Sequence, residues 1–316
     1  MYLGIDVSKK TIDCCLIKED SKRQKQFKNE QGGFEQLKQW LDDNHATSEL
    51  KCCCEATGTY YKQLALYLKK YYKISVENPR KIKGYAISEM QRAKTDKQDA
   101  KLIAMYCQEK SHRLREWQPP EKDQQELEEL TKYLDYLTRQ RATEKNKLHE
   151  SPDYITSHIK TTIDNLTAQI KAVKQQIKQF YKQHPEYGQN QKRLMTITGI
   201  GETAASVLLS IYKKHEFKTS KQFVAFIGLD PKPHESGISV KGKSRISKIG
   251  KADTRKALFM PALVAYRINA FPTLINRLKS KNKPLKVILV ALMRKLAVIV
   301  FTLLQNGEDF DKTRYV

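Results

Sequence analysis

Residues 1–19, MYLGIDVSKKTIDCCLIKE, contain two apolar runs with a short polar segment between them. This pattern predicts two β-strands joined by a tight turn at Ser8–Lys10, and RQKQFKNE (residues 23–30) predicts a third strand. The first apolar run, Met1–Ile5, leads directly into Asp6. A carboxylate is therefore expected at the end of the first strand of a sheet.

The residues that follow alternate between helical and strand patterns. We predict a helix in GGFEQLKQWLDDNH, a strand in ELKCCCEATG, a helix in TYYKQLALYLKKYY, a strand in KISVENP and a helix in DKQDAKLIAMYCQE. The resulting order, β-β-β-α-β-α-β-α, is that of the ribonuclease-H-like fold. In that fold the first strand, the fourth strand and the last helix converge on a metal site. The sequence therefore predicts an α/β domain of this class over residues 1–116.

Four acidic residues occupy these three converging elements: Asp6, Glu55, Asp96 and Asp99. Asp96 and Asp99 are three apart at a helix start, so their carboxylates share one face. Carboxylates placed this way can hold two Mg²⁺ ions, with Mn²⁺ as an alternative, which clamp the attacking and leaving oxygens of a phosphodiester. Taken singly, each acid could equally cap a helix or a turn. Asp13, in the second strand and away from the proposed centre, and Glu77 are weaker candidates.

The chain is strongly basic, with Lys+Arg 58 against Asp+Glu 35 and a formal net charge of +23. This excess favours nucleic acid as the partner, because Lys and Arg side chains that bind phosphates release the counterions of the nucleic acid. A ribosome-associated or membrane-surface protein is the alternative. The apolar run Val287–Leu304 carries Arg294 and Lys295 at its centre, where each would cost about 2.5–3.5 kcal/mol in a bilayer. We therefore expect a buried helix and no membrane partner.

The six cysteines show no zinc-ligand spacing, so they predict small buried side chains in a reducing cytoplasm. No charged and apolar leader precedes the first predicted strand. Together with the basic charge, these features predict a cytoplasmic, nucleoid-associated protein.

Trp117-Gln118-Pro119-Pro120 interrupts the helical pattern, because paired prolines cannot continue a helix. After it, leucines and isoleucines recur every three or four residues in two segments that Ser151-Pro152 separates. Such spacing is typical of a coiled coil, which we predict as a linker over residues 117–188. The two helices could form a hairpin arm, an ordinary bundle within one chain, or a pairing with another protomer. We favour oligomerisation.

Residues 189–316 predict a mainly helical C-terminal domain. Within it, LMTITGIGETAASVLLSI predicts two helices joined at Gly199-Ile200-Gly201, where the second helix offers free N–H groups to a phosphate. A plain helical turn is the alternative. A Gly/Ser/Lys-rich loop segment follows and opens into a helix. The expected nucleic-acid contacts are Lys94, Lys97, Gly199, Gly201, Gly237, Lys241, Lys243, Arg245, Lys248, Lys251 and Arg255.

Ser236, in HESGISVKGKSRISKIG, is the candidate nucleophile. A serine beside a glycine on a basic loop can bring its hydroxyl close to a phosphate, but the hydroxyl is weak and needs activation. Spacing alone does not distinguish it from Ser239, Ser244 or Ser247. A Ser-Gly turn with no chemical role is the alternative.

GIDVSKK, EATGTY, KTDKQDA, TGIG, FVAFIGLDPKPHESG and RISKIGKADTRKAL resemble, in this order, motifs of the DEDD-type transposases of bacterial insertion sequences, the family numbered one hundred and ten. The resemblance covers nearly the whole chain and implies a RuvC-like catalytic domain, a coiled-coil linker and a transposase domain with a serine nucleophile. The family's acidic quartet falls on Asp6, Glu55, Asp96 and Asp99. Its serine falls on Ser236, although many relatives have two serines before the glycine and this chain has Glu235.

The resemblance further implies a recombinase guided by a structured noncoding bridge RNA, which pairs with donor and target DNA while the protein holds backbone and shape. Serine attack would leave a covalent phosphoserine link, and strand exchange would pass through a four-way junction. Dimers would pair into tetramers, with the serine of one subunit completing the metal site of another. The alternatives are a structure-selective junction endonuclease that uses water, and a non-catalytic nucleic-acid-binding protein.

Overall fold

The computed structural model describes residues 1–19, 21–90, 95–236, 240–250 and 252–315, without the side chains of residues 234–236, 240, 241, 243, 244 and 315. The chain divides into two compact units, Met1–Pro119 and Pro120–Val316. The first is built on a five-stranded sheet and the second is mainly helical. The predicted combination of an α/β part and a helical part is therefore confirmed.

The described residues of the first unit form five strands and four helices. These are β1 (Tyr2–Val7), β2 (Thr11–Lys18), β3 (Ser21–Lys28), α1 (Gln31–Asp43), β4 (Lys51–Glu55), α2 (Tyr61–Leu68), β5 (Lys73–Glu77), α3 (Pro79–Ser88) and α4 (Asp96–Glu109). The strand order is β3-β2-β1-β4-β5. β1 pairs antiparallel with β2 and parallel with β4, and β4 pairs parallel with β5. This arrangement is consistent with the ribonuclease-H-like fold.

The two faces of the sheet carry different neighbours, because successive strand residues point to opposite sides. Leu3 and Ile5 of β1 are fully buried in a core with residues of α1 and α2. On the other face, Ala100 and Ala104 of α4 pack with residues of β2. Gly4, between the two core residues of β1, faces α4. The sheet is therefore covered on both sides, and α4 lies directly over its centre.

Gly4 allows this close approach, because a Cβ atom at that position would overlap the backbone N of Ala104 and the backbone O of Ala100. We expect Gly4→Ala to destabilise the fold by about 1–3 kcal/mol, since backbone atoms on both sides must shift. Urea unfolding measures the loss. Gly32→Ala in α1 is the matched control, because a Cβ there meets nothing within 4 Å. If Gly4→Ala is as stable as wild type, α4 does not pack on β1 in this way.

Helix α3 is an element that the sequence patterns did not predict. Its first residue is Pro79, and the side chain of Asn78 accepts a hydrogen bond from the Arg80 N–H at 2.9 Å. Asn followed by Pro is a common helix start, because the amide caps the helix and proline lacks only an N–H that would be unpaired there. The sequence analysis had assigned Asn78 and Pro79 to the end of the strand KISVENP.

The second unit follows with helices and one hairpin in its described residues. Its elements are α5 (Lys122–Glu150), α6 (Asp153–Gln183), α7 (Pro185–Met195), α8 (Glu202–Lys214), α9 (Ser220–Ile227), β6 (Pro231–Ser236), β7 (Val240–Ile246), α10 (Ala252–Arg267), α11 (Pro272–Ser280), α12 (Leu285–Asn306) and α13 (Lys312–Tyr315). Helices α5 and α6 break at Ser151 and pack against each other within one chain. This packing within one chain accounts for part of the apolar seam, while the coiled coil and oligomerisation through it stay predictions.

A two-stranded hairpin replaces the loop that was predicted before α10, so this expectation was wrong. Strands β6 and β7 pair antiparallel, with Lys232 opposite Arg245 and Glu235 opposite Lys241, and an irregularity lies between Lys232 and His234. The segment is rich in Gly, Ser and Lys, a composition that usually indicates loops. In the described residues its backbone nevertheless pairs with the neighbouring strand, and local composition does not reveal such a partner.

Helix α12 is apolar and long enough to cross a membrane, and the bent pair α10–α11 would pass the same test as one span. However, 61% of the apolar window of α12 is buried inside the structure. Ile288, Leu292 and Leu296 of this helix lie in the core of the second unit. The predicted buried helix is therefore confirmed. All six cysteines are buried, so the predicted burial of their side chains is confirmed as well.

Candidate active site

Asp6 and Glu55 lie at the carboxyl ends of two neighbouring parallel strands. Ile5 of β1 pairs with Cys54 of β4, and each acid follows directly in its strand. Asp6 is on the same face as Gly4, which contacts α4. Glu55 is on the same face as Cys53, which packs with residues of α4. The two carboxylates therefore project from one edge of the sheet, on the face that α4 covers.

Helix α4 begins at the same edge and contributes Asp96 and Asp99 in its first turn. The cap is Thr95, whose side chain accepts a hydrogen bond from the Gln98 N–H at 3.3 Å. Asp96 is therefore the first residue of the helix and not its cap. Carboxylates are stabilised in a first turn by the helix dipole. The local sequence therefore folds so that this pair sits at the end of α4.

The carboxyl of Asp6 is influenced by its burial and by the charges of other acids. Burial raises the pKa of Asp6 from 3.8 to about 6, and the negative charges of Asp99, Asp96, Glu55 and Asp13 contribute to this rise in that order. Like charges held together in a half-buried place repel, and a divalent cation would relieve that repulsion. Oxygen ligands of this kind suit Mg²⁺ or Mn²⁺. The donor chemistry therefore fits the predicted ions.

The carboxylates of the quartet are not placed as ligands of one ion in this structure. Among the described residues, no three His, Cys, Asp or Glu side chains stand close enough to hold one ion as they are placed. Binding would require the carboxylates to turn toward a common point. The structure thus brings the predicted acids to one edge of the first unit without forming a closed metal cage.

The sequence analysis placed Asp13 away from the proposed metal site. The structure shows that this prediction was wrong. It pairs directly opposite Asp6 in the β1–β2 register, and only 5% of its surface is exposed. Gln26 of β3 donates from Nε2 to both of its carboxylate oxygens, at 3.1 and 2.9 Å. The tight turn at Ser8–Lys10 was the signal that could have revealed this neighbour, because turn length sets hairpin register.

Glu77, the other weaker candidate, is paired with a lysine. It ends β5 opposite Glu55, it is 5% exposed, and Lys81 lies 2.7 Å from its Oε2. Its charge is therefore matched by a lysine in the first turn of α3.

The expected nucleic-acid contacts are spread over both units. Lys97 is exposed in α4, and its backbone O accepts a hydrogen bond from Gln24 Nε2 at 2.9 Å. Arg245 is exposed in β7 and Lys248 is exposed just after it. Arg255 instead donates to the backbone O of Ile227 at 2.9 Å and of Gly250 at 3.2 Å. Arg255 therefore holds the loop before α10 in place.

Several predicted contacts fall where the structure gives no description. Lys94, Gly237 and Lys251 lie outside the described residues, and so do the side chains of Ser236, Lys241 and Lys243. The backbone of Ser236 ends β6 in the second unit, whereas the acidic quartet belongs to the first unit. Gly199 and Gly201 lie between α7 and α8, as predicted.

Two family models match this chain. A DEDD-type model described as a transposase matches residues 3–152, and a model described as transposase IS116/IS110/IS902 family matches residues 191–277. The first match contains the acidic quartet, and the second contains Gly199, Gly201 and Ser236. All the predicted catalytic residues therefore lie in matched regions.

Two named relatives match over nearly the full length, and a third matches over about half. A pilin gene-inverting protein of Moraxella bovis is 35% identical over 316 residues, which cover 98% of this chain and 98% of that protein. A pilin gene-inverting protein of Moraxella lacunata matches to the same extent. A probable family 20 transposase of Pseudomonas aeruginosa is 31% identical over 178 residues, 52% of this chain and 49% of that protein.

Proposed function

Because the chain belongs to the IS116/IS110/IS902 family of transposases, we propose that it moves or inverts a DNA segment by cutting and rejoining strands with two groups of residues. The first group is the carboxylates Asp6, Glu55, Asp96 and Asp99. The second is Ser236, with basic residues around it. Family membership makes it a DNA strand-transfer enzyme. The assignment of roles to these residues is our proposal.

The observation that carries the metal role is the charge crowding at Asp6. Its carboxyl is half-buried, and burial together with the charges of four other acids raises its pKa to about 6. Raised carboxyl pKa values cluster at functional sites, and β1, β4 and the start of α4 meet at this edge of the sheet, so we place the divalent-cation site there. When bound there, Mg²⁺ would neutralise charge that develops on the phosphodiester oxygens. Asp6 and Asp99 would hold it from β1 and α4.

Ser236 is proposed as the nucleophile in the covalent step. Its Oγ would lose its proton and bond to phosphorus, one P–O bond of the DNA backbone would break, and the released oxygen would take up a proton to become a hydroxyl. Arg245 and Lys248, exposed on the same hairpin and just after it, would offset the added negative charge. The support for this role is the resemblance of HESG to the family's serine motif.

We also propose that a structured noncoding bridge RNA chooses the donor and target DNA, and that copies of the chain assemble as dimers and tetramers. The net charge of +23 supports a partner with many phosphates. Inversion is proposed beside transposition, since relatives that match 98% of the chain are named for gene inversion. Both outcomes need the same cutting and rejoining of strands.

The proposal is tested by giving the purified protein an RNA transcribed from DNA that flanks its gene, together with donor and target duplexes. Recombination should require the RNA. Changing the RNA segment that pairs with the target should redirect recombination to a matching new target, because base pairing would carry the sequence information. A control RNA with its donor-pairing segment changed should redirect the donor instead. Recombination that ignores both changes would refute RNA guidance and leave the strand chemistry standing.

A further inference from the structure

The turn between α11 and α12 carries a dense group of positive charges. Its members, which we call the basic corner, are Arg277, Lys279, Lys281, Lys283 and Lys286, and all five residues are exposed. Residues 254–307 contain ten Lys and Arg and no Asp or Glu. No acid that is close in sequence therefore reduces the charge of the basic corner.

No acid neutralises the basic corner in space either. In the part of the chain that the structure describes, none of its five cations lies within ion-pair distance of a carboxylate. Lys279 lies over the ring of Tyr266, with its Nζ 5.2 Å from the ring centroid, and this contact leaves its charge in place. By contrast, Lys132 and Lys256 of the same unit each pair with an acid. The basic corner thus keeps its full positive potential.

Helix stability accounts for only part of the basic corner. Arg277 and Lys279 lie in the last turn of α11, where the negative end of the helix dipole favours a cation. Lys283 and Lys286 instead lie at the start of α12, whose first turn contains no acid. The positive end of a helix dipole disfavours cations. The folding of α12 therefore gives no reason for these two lysines, whereas an anion bound from outside the chain does.

Backbone hydrogen bonds hold the basic corner in a fixed shape. The Asn282 N–H donates to the backbone O of Lys279 at 2.8 Å, and the Lys283 N–H donates to that of Leu278 at 3.1 Å. Asn282 has a φ of 49°, a left-handed conformation that asparagine tolerates better than most residues. Pro284 then restricts the backbone just before α12. A partner would therefore meet lysines whose backbone is already ordered.

The chemistry of the basic corner fits closely spaced phosphates, such as those of a nucleic-acid backbone. Lipid headgroups also carry phosphates, but most of the apolar window of α12 is buried in the second unit. Leu285 and Val287, which flank Lys286, are about half exposed and offer little apolar surface to a bilayer. The chain is a DNA strand-transfer enzyme, so duplex DNA is a polyanion that it must hold.

We propose that the basic corner binds the phosphate backbone of duplex DNA and holds it without reading its sequence. Lysine is a flexible point charge that suits phosphate, and phosphate contacts position a duplex without specifying bases. The inference rests on the proposed DNA substrate. It adds an anchoring surface to the DNA contacts proposed for Arg245 and Lys248.

The test measures binding of the full-length protein to a labelled duplex by fluorescence anisotropy over a range of salt concentrations. In the triple variant Lys281→Gln, Lys283→Gln, Lys286→Gln, affinity at about 0.1 M salt should fall about tenfold or more. The slope of log affinity against log salt should become smaller by about 2–3, because each lost phosphate contact removes about 0.9.

The matched control, Lys73→Gln, Lys110→Gln, Lys147→Gln, loses the same net charge from lysines that each lie within ion-pair distance of an acid. It should bind the duplex as wild type does. Equal losses in the triple variant and this control would mean that net charge alone decides binding, and would overturn the basic corner. Unchanged binding in the triple variant would overturn it as well.

Lys286→Glu separates DNA binding from folding. An acid suits the first turn of a helix, so thermal unfolding followed by circular dichroism should show a midpoint no lower than that of wild type. Duplex affinity should nevertheless fall. Weaker binding accompanied by a lower midpoint in both Lys286→Glu and the triple variant would assign these lysines to folding and overturn the proposal.

A folded RNA hairpin and vesicles containing phosphatidylserine are assayed in parallel with the duplex. A loss in the triple variant that is confined to the RNA or to the vesicles would overturn DNA as the partner of the basic corner. If wild type binds no duplex at all, the proposed DNA substrate fails together with the basic corner. Duplex binding that only the control variant retains supports both.

Discussion

Asp6→Asn should lower the rate of DNA strand cleavage by at least about 10³-fold, because it removes a metal-binding charge worth several kcal/mol of transition-state stabilisation. Asn has the same shape, so the strand and its packing on α4 should remain. The rate is measured on a labelled donor duplex in Mg²⁺ under single-turnover conditions. Asp43→Asn, an exposed acid of α1 in the same unit, is the matched control and should cleave normally.

The same substitution should make the fold more stable at neutral pH. The pKa of Asp6 is raised from 3.8 to about 6, so between these values the folded protein binds more protons than the unfolded chain. Wild-type stability should therefore fall as pH rises from about 4 to 6, and this dependence should be weaker in Asp6→Asn. Because Asp6 is only half-buried, solvent screening limits the gain to about 1 kcal/mol.

Urea unfolding at pH 4 and pH 7, without divalent ions, separates these outcomes. A variant that loses cleavage and gains stability at pH 7 has lost a functional charge. A variant that loses both cleavage and stability would indicate a structural role for Asp6 and contradict the proposed site.

Ser236→Ala should abolish the covalent protein–DNA adduct, because alanine has no oxygen to attack phosphorus. The adduct is detected on a denaturing gel after reaction with a labelled donor strand. We expect no adduct and no recombination in this variant. Ser239→Ala, three residues further along, should form the adduct like wild type.

The outcome distinguishes the transposase from a metal-dependent endonuclease. DNA hydrolysis that survives Ser236→Ala, with no adduct in wild type, would mean that water is the nucleophile. An adduct lost in Ser239→Ala but kept in Ser236→Ala would move the nucleophile to the neighbouring serine.

Much of the first unit follows from local sequence patterns. Helix α4 spans Asp96–Glu109, the same residues that the pattern predicts, because its apolar periodicity and the Thr95 cap are both local signals. Strands β1 and β4 are predicted for the same reason. The sequence alone therefore suffices to assign the acids at their ends to one edge of the sheet.

The remainder depends on partners that are distant in sequence. Asp13 was misplaced because its neighbour is set by strand register, and the β6–β7 hairpin was missed because each polar strand is satisfied only by the other. Gly4 carries no pattern that reveals the backbone of α4 against it. Arg255 was assigned to nucleic acid by its charge, although it holds the carbonyl group of Ile227. Charge and composition indicate a class of partner, and packing decides which partner each side chain meets.

Calorimetric titration of the full-length protein with Mg²⁺, and with Mn²⁺ in parallel, tests the carboxylate site most directly because it needs no DNA. We expect wild type and Asp43→Asn to bind divalent ions with equal affinity. Asp6→Asn and Asp99→Asn should bind at least about tenfold more weakly, since each removes a ligand charge from the cluster. Equal binding by all four proteins, or no binding by wild type at about pH 8, where Asp6 is ionised, would contradict a cation site at this edge of the sheet.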